Sequence, residues 1–226
     1  MLNDMINAIN TAIIVAAGSG SRLASEIPKQ FLKLRGVEIL SYSVQTFLAH
    51  PGISEVIIVT SSDYLEHVTH QYQDCKVVTG GKTRQDSVFN GLEACASDTE
   101  LVLVHDAARP LVPSTVIDDC LVKLKTLDGV APVLQPVNSM VELTDSGYRS
   151  LPRHKLRVMQ TPQCFHIGIL KAAHASTYTA TDELGLVKQY DPQAQLGFVE
   201  GAPETIKVTR QIDLEIIKMY LRNSES

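Results

Sequence analysis

The chain has 226 residues, of which 44% are hydrophobic and 20% charged, enough to bury the core of one large domain and too apolar for a disordered chain. The net charge of -5 gives no general basic field, so we expect no nucleic-acid partner, whereas a small anionic ligand needs only a local cluster of Lys and Arg. Four scattered cysteines and the lack of a long apolar run predict reduced thiols, no membrane contact and a cytoplasmic protein.

Short β-branched runs alternate with amphipathic segments along the chain. The runs are apolar at successive positions and end at turn-forming residues, which predicts buried strands at 11–18, 54–61, 75–81, 100–107 and 129–137. The segments between them have helical periodicity, which predicts helices at 38–50, 63–72, 84–96 and 113–125. This alternation predicts an α/β, Rossmann-like fold with a mostly parallel, doubly wound sheet.

The regular alternation breaks at Asn138. The stretch that follows contains the turn signal DSG at 145–147 and apolar residues, such as Met140 and Leu143, that have no obvious core to join. It predicts a β-hairpin arm that protrudes from the sheet at about 138–156, with an ordinary surface loop as the alternative. Regular structure then resumes with a helix at 166–177, a strand near 195–201 and a closing helix at 210–222.

A glycine-containing loop follows the first predicted strand. Gly18 and Gly20 lie beyond the carboxyl end of that strand, where parallel sheets bind ligands, and glycine lets backbone N–H groups approach phosphate oxygens. Leu23 replaces the third glycine of GxGxxG and no Walker pattern is present, which disfavours a dinucleotide dehydrogenase or a P-loop NTPase. Arg22 and Lys29 add two cations suited to a triphosphate, although either alone could be a solvated surface charge.

Later stretches add polar groups at the same edge of the predicted sheet. Two glycines follow the third strand, and Ser87 lies at the start of the next helix, where it could meet a base or a phosphate. Asp106 closes the fourth strand as a natural ligand for Mg²⁺, with simple pairing to Arg109 as the alternative. Lys207 follows on a late strand or loop, where it could also be a surface charge. His105 ends an apolar strand and is expected to be structural.

A set of motifs therefore runs in order over nearly the whole chain: AAGSGSRL with PKQF, GGKTRQDSV, HDAARP, TPQCF, TDE and IKVTR. Together they resemble the 2-C-methyl-D-erythritol 4-phosphate cytidylyltransferases of the non-mevalonate isoprenoid pathway, whose close relatives are the ribitol 5-phosphate cytidylyltransferases. The resemblance implies a single nucleotidyltransferase domain over residues 1–226. It also implies transfer of a cytidylyl group from CTP to 2-C-methyl-D-erythritol 4-phosphate with release of pyrophosphate, and Mg²⁺ or another divalent cation as cofactor.

The resemblance further implies roles for individual residues. Those that bind CTP are Ala16, Ala17, Gly18, Gly20, Gly81, Ser87, Asp106 and Ala107, and Asp106 also holds the metal. The catalytic cations are Arg22, Lys29 and Lys207. The residues on the side of the polyol phosphate are Arg109, Ser139, Arg153 and Thr181. In the family the arm crosses to a second subunit, so a homodimer through the arm is expected.

The chain departs from the family pattern in the arm. The family's arm commonly begins with Asp-Thr and has a lysine two places on, where this chain has Asn138, Ser139 and Val141. Ser139 keeps a hydroxyl, but one carboxylate and one cation are lost, which leaves another polyol phosphate, such as ribitol 5-phosphate, as an alternative acceptor. A catalytically inactive nucleotide-binding homologue and a Rossmann-type oxidoreductase are the alternatives from other classes. The intact catalytic cations argue against the first, and the missing third glycine argues against the second.

Overall fold

The structure is a computed structural model that describes residues 9–18 and 27–223. Its strands are β1 (Ile9–Ala16), β2 (Lys33–Leu34), β3 (Val37–Glu38), β4 (Glu55–Thr60), β5 (Lys76–Thr79), β6 (Thr99–Asp106), β7 (Gly129–Leu134), β8 (Met140–Thr144), β9 (Gly147–Leu151), β10 (Val158–Met159), β11 (Gln163–His166) and β12 (Leu196–Glu200). Its α-helices are α1 (Ile39–Ala49), α2 (Leu65–Gln71), α3 (Arg84–Ala94), α4 (Ser114–Lys123), α5 (Ile167–His174), α6 (Glu183–Tyr190) and α7 (Gln211–Asn223).

The main sheet is mostly parallel, as predicted. Strands β4, β1 and β6 lie side by side in parallel, β5 extends this row beyond β4, and β12 pairs in parallel with β7. Strands β10 and β11 run antiparallel to β7, and β11 also pairs antiparallel with β6. Strand β11 therefore lies between β6 and β7, whereas β10 pairs with β7 alone.

Strand β1 lies in the middle of this sheet and is covered on both faces. Successive side chains of a strand point to opposite faces, and β1 shows this directly. Ile14 belongs to a buried cluster that includes Phe47 of α1 and Ile117 of α4. Ile13 belongs to a second cluster that includes Leu92 of α3 and Leu170 of α5. Helices therefore pack on both faces of the sheet, which confirms the predicted doubly wound architecture.

The predicted arm is a two-stranded hairpin of β8 and β9. Its register runs from Met140 opposite Leu151 to Thr144 opposite Gly147, so two residues form the turn. The hairpin is separate from the main sheet, and its large apolar side chains are open to solvent: Leu143 is 82% exposed and Tyr148 is 70% exposed. The segment is therefore ordered into a hairpin and is not an ordinary surface loop.

The short strands β2, β3 and β10 had no counterpart in the sequence prediction, and neither did strand β11 and helix α6. Strand β11 has only four residues, which is too few to show a period of two. Helix α6 has eight residues, and Gly185 in its first turn weakens the helical pattern. Strand β11 and helix α6 are joined by a hydrogen bond from the N–H of Leu184 to Gln163. Within the described ranges, no helix combines the length and apolarity required to cross a lipid bilayer.

Candidate active site

A cavity of about 480 Å³ opens at the carboxyl edge of the parallel strands. It lies between the end of β1, the turn from β5 into α3, the end of β6 and the segment before α7, which is where ligands bind in an open α/β sheet. The predicted residues that line it are Ala16, Ala17, Gly18, Lys29, Gly81, Ser87, Asp106, Ala107 and Lys207. The tertiary fold thus brings together groups from five separate motifs.

The other predicted site residues have different positions. Gly20 and Arg22 lie outside the residues that the structure describes. Arg109, Ser139, Arg153 and Thr181 are described but do not line the cavity. Thr181 is exposed and donates its hydroxyl to the Asp182 carboxylate at 3.2 Å. Arg153 is exposed near the base of the arm and donates to the backbone oxygen of Val137.

The buried side chain of Gln30 holds the end of β1 in place. Its Nε2 donates to the backbone oxygen of Ala16 at 2.6 Å and to that of Gly18 at 2.9 Å. These bonds fix the strand and the first part of the glycine loop against the short turn that carries Lys29, whose Nζ donates to the backbone oxygen of Val208 at 2.8 Å. Gln30 belongs to the PKQF motif, for which the sequence predicted a role only at Lys29.

The start of α3 is built from a reciprocal cap and two close-packed glycines. The Thr83 hydroxyl accepts from the Asp86 N–H and the Asp86 carboxylate accepts from the Thr83 N–H, each at 3.0 Å, which is a capping box. The Ser87 hydroxyl donates to the Thr83 oxygen and accepts from the N–H of Gly81 at 3.1 Å. A Cβ on Gly80 would lie 2.5 Å from the Cβ of Ala17, so glycine is required there. Ser87 therefore stabilises the turn through hydrogen bonds to the backbone of Gly81 and Thr83.

Three cations face the carboxylate of Asp106 among the described residues. Lys207 Nζ lies 2.8 Å from Oδ2, Arg84 Nε lies 3.2 Å from Oδ1, and Arg109 Nε lies 3.5 Å from Oδ2. Burial alone would raise the pKa of Asp106, but Arg84, Lys207 and Arg109 together hold that pKa well below its usual range. The pairing with Arg109 that the sequence left open is present, and Arg109, only 13% exposed, also donates to the backbone oxygen of Thr205.

His105 is structural, as predicted. It is fully buried, and its Nε2 lies 3.0 Å from the backbone oxygen of Arg109. A carbonyl only accepts, so Nε2 carries the proton, and Nδ1 accepts from the Thr161 hydroxyl at 3.1 Å. The Thr161 oxygen in turn accepts from the backbone N–H of Asp106 at 3.1 Å. Burial lowers the pKa of His105 to about 4, so this chain of bonds holds the end of β6 with a neutral ring at neutral pH.

Glu183 does not line the cavity but binds Arg84, which does, and the sequence pattern predicted no role for it. Its carboxylate oxygens accept from Arg84 Nη1 at 2.6 Å and from Nη2 at 3.0 Å. Arg84 and Glu183 lie 99 positions apart, in the motifs GGKTRQDSV and TDE. A glutamate at the first position of a helix is common, because its negative charge interacts favourably with the helix dipole. The local pattern therefore gave no sign of a pair with Arg84.

The fold and the cavity define a class of protein: an α/β, Rossmann-like protein with an anion-binding site at its sheet edge, suited to a nucleotide. A family model described as IspD, 2-C-methyl-D-erythritol 4-phosphate cytidylyltransferase, matches residues 10–223. The chain therefore belongs to the 2-C-methyl-D-erythritol 4-phosphate cytidylyltransferase family.

Individual relatives agree with this assignment. The 2-C-methyl-D-erythritol 4-phosphate cytidylyltransferase of Clostridium botulinum (strain Loch Maree / Type A3) is 36% identical over 217 residues, which cover 91% of this chain and 94% of that protein. The crystal structure of 4-diphosphocytidyl-2C-methyl-D-erythritol synthase from Anaerococcus prevotii has a TM-score of 0.86 at 27% identity, covering 97% of this chain and 99% of the other. The cytidylyltransferase structure from Thermus thermophilus has a TM-score of 0.78 at 28% identity, covering 93% and 98%.

Proposed function

We infer that this chain transfers the cytidylyl group of CTP to 2-C-methyl-D-erythritol 4-phosphate and releases pyrophosphate, a step in the synthesis of isoprenoid precursors. The observation that best supports this function is the cavity at the sheet edge, where the end of β1, Lys29, Lys207 and Asp106 meet. The family model matches the chain from residue 10 to residue 223. The same match favours methylerythritol phosphate over ribitol 5-phosphate as acceptor. It also argues against an oxidoreductase or an inactive nucleotide-binding homologue.

The reaction needs charge stabilisation and alignment. A phosphate monoester is already an anion, so one of its oxygens can attack the α-phosphorus of CTP without a general base. A new O–P bond forms as the bond between the α-phosphorus and the bridging oxygen breaks, and pyrophosphate leaves with the electron pair. We propose that Lys29, Lys207 and Arg22 offset the charge that builds up on the phosphoryl oxygens. The backbone of Ala16–Gly18 and Gly81 would hold the nucleotide.

Asp106 is the residue proposed to hold a divalent cation, Mg²⁺ in the first instance. Within residues 9–18 and 27–223, no three His, Cys, Asp or Glu side chains cluster into a complete metal site. Mg²⁺ does not need one, because proteins usually bind it through one or two carboxylates together with substrate phosphates and water. The lowered pKa of Asp106 keeps this carboxylate ionised, so its donor chemistry fits. The bound cation would neutralise phosphate charge.

The acceptor side of the site is proposed from the family pattern. Arg109, Ser139, Arg153 and Thr181 would bind the polyol phosphate. The arm, at about 138–156 of a single domain that spans residues 1–226, would embrace a second subunit in a homodimer. The exposed apolar side chains of the hairpin support this arrangement, because patches of this kind mark contact surfaces. We place the activity in the cytoplasm, where CTP is available.

One assay tests the proposed function. The protein is incubated with CTP, Mg²⁺ and, in separate reactions, 2-C-methyl-D-erythritol 4-phosphate and ribitol 5-phosphate, and pyrophosphate release is followed. We expect release with methylerythritol phosphate and the matching CDP-linked product. Turnover with ribitol phosphate alone would reassign the acceptor, and binding of CTP without turnover of either acceptor would indicate a binding protein.

Replacing CTP by UTP should lower kcat/KM by well over about tenfold, because polar groups set for cytosine would be left unpaired.

A further inference from the structure

The first turn of α3 is tied by two adjacent side chains to the segment that leads into α6. Gln85 Nε2 donates to the backbone oxygen of Tyr178 at 3.0 Å, and its Oε1 accepts from the N–H of Ala180 at 3.4 Å. Arg84, the residue before Gln85, makes the bidentate salt bridge with Glu183. This segment contains Thr181, so the start of α3, which lines the cavity, is physically joined to a residue proposed to bind the acceptor.

Glu183 is held in one position by its own helix terminus. The Asp182 carboxylate caps α6 by accepting from the N–H of Gly185 at 2.8 Å. The N–H of Leu184 donates to the buried side chain of Gln163 at 3.0 Å. The side chain of Glu183 is only 3% exposed, so it has little freedom to move away from Arg84. The carboxylate therefore acts as a fixed template.

This template determines where the rest of the Arg84 guanidinium points. The group is planar, so once Nη1 and Nη2 are bound to Glu183, the direction of the Nε–H bond is determined. That bond reaches Asp106 Oδ1 at 3.2 Å. Glu183 also compensates the charge of Arg84, which lies on the wall of the cavity. A lysine at position 84 could supply the charge but could not satisfy both carboxylates in one plane.

We propose that Glu183 is a positioning residue for the cytidylyl transfer, because it orients Arg84 against Asp106 and fixes the segment that carries Thr181 relative to the nucleotide side of the cavity. This inference rests on the proposed function. It assigns Glu183 a larger effect on the alignment of the acceptor with CTP than on the binding of CTP itself, because most proposed CTP contacts come from β1 and the turn before α3, although Arg84 also contacts Asp106.

Glu183→Gln tests the inference, since it keeps the size of the side chain but sets an amide N–H₂ against an N–H of Arg84. We expect kcat/KM for methylerythritol phosphate to fall by about 10- to 100-fold, the range found when a group that orients a functional residue is removed. The loss should appear mainly in kcat and in KM for the acceptor, and KM for CTP should rise by a smaller factor than KM for the acceptor. Arg84→Lys should give the same pattern, and the double variant should lose less activity than the product of the two single losses predicts, because both changes break the Arg84–Glu183 pair.

Glu55→Gln is the matched control. Glu55 accepts from the Thr11 hydroxyl and from the N–H of Ala96 at the amino end of β4, on the opposite edge of the sheet from the cavity. Its kinetics should equal those of the wild type.

Unchanged kinetics in Glu183→Gln would overturn the inference. An equal rise in KM for both substrates, together with a lower unfolding midpoint, would also overturn it and would indicate a structural role. If Glu183→Gln does not fold, the kinetics of Arg84→Lys decide by the same criterion. A wild-type protein that releases no pyrophosphate would instead refute the proposed function, so the two failures are distinguishable.

Discussion

At the scale of single residues, the charges around Asp106 explain what this carboxylate can do. Arg84, Lys207 and Arg109 face it within 3.5 Å, and Glu183 balances part of their charge. With its pKa held well below the usual range, Asp106 stays ionised at any physiological pH and is a very weak base. Its contribution is therefore negative charge at a defined position, which agrees with a reaction that needs no general base.

Lys29→Ala should lower kcat by about a hundredfold or more, because a cation that offsets transition-state charge contributes about as much as an oxyanion donor. The same loss is expected for Arg22→Ala. Lys76→Ala is the control: Lys76 also donates Nζ to a backbone oxygen, that of Ala94, but at the amino end of β5. Steady-state kinetics of pyrophosphate release measure the effect. Wild-type turnover in Lys29→Ala would remove that lysine from the catalytic set.

His174 should make the fold sensitive to acid. Burial, assisted by the charge of Arg84, lowers the pKa of His174 from its ordinary value of 6.5 to about 4. The unfolded chain therefore takes up this proton first, so the free energy of unfolding has its full value above about pH 6.5. It falls as the pH is lowered towards 4, by up to about 1.4 kcal/mol per pH unit for each such proton.

His174→Leu should remove this part of the acid sensitivity. Within the described residues, neither ring nitrogen of His174 has a hydrogen-bond partner, so the variant should be as stable as the wild type at pH 7, or more stable. Urea unfolding at several pH values measures the slope, part of which should remain because the pKa of His105 is also lowered to about 4. An unchanged slope in the variant would show that His174 is not the group responsible.

At the scale of elements, the turn from β5 into α3 leaves no room for a side chain at Gly80. A Cβ on Gly80 would lie 2.5 Å from the Cβ of Ala17 and 2.8 Å from the Ser87 hydroxyl, and neither of these short side chains can swing aside. The turn and the end of β1 are thus packed directly against each other. Any added atom must separate the two walls between which the nucleotide is proposed to bind.

Gly80→Ala should therefore lower the free energy of unfolding by about 1–3 kcal/mol, the usual cost of overpacking, and raise KM for CTP. Gly168→Ala is the matched control, because Gly168 lies in α5 and a Cβ there would meet nothing within 4 Å. Alanine favours a helix over glycine, so the control should be neutral or more stable by up to about 1 kcal/mol. Urea unfolding and CTP titrations test both changes. Equal behaviour of the two variants would contradict the packing argument.

At the scale of the whole molecule, the question is whether one chain contains a complete active site. Arg153 and Ser139 do not line the cavity of their own chain, and the hairpin beside them exposes apolar side chains. We therefore expect these residues to act on the cavity of a second subunit in a two-fold dimer. In such a dimer each site combines the nucleotide side of one chain with the arm of the other.

Subunit mixing tests this arrangement. Homodimers of Arg153→Ala and of Lys29→Ala should both be nearly inactive, since every site then carries one lesion. If the arm acts on the other subunit, a mixed dimer has both lesions in one site and none in the other. An equal mixture should then recover about a quarter of wild-type activity through random pairing. No recovery, with exchange verified by mass spectrometry of tagged chains, would mean that the arm serves its own chain.

The sequence by itself determined the strand–helix alternation, the glycines beyond β1 and the hairpin arm. These features depend on local properties: buried runs such as that of β1, the backbone freedom of glycine, and a DSG turn between segments with no core to join. Most predicted nucleotide-side residues consequently line one cavity, since parallel strands end at the same edge of a sheet.

Only the tertiary structure decided which side chains meet. Arg84 and Glu183 lie 99 positions apart, Asp106 and Lys207 lie 101 apart, and nothing local to either residue specifies its partner. The antiparallel position of β11 between β6 and β7 could not be predicted either. Four residues are too few to show a period of two, and the pairing is determined by the strands on either side. Ion pairs and strand order depend on distances in space. Those distances are determined only when the whole core packs. The contact between Arg84 and Glu183 could therefore be identified only from the tertiary structure.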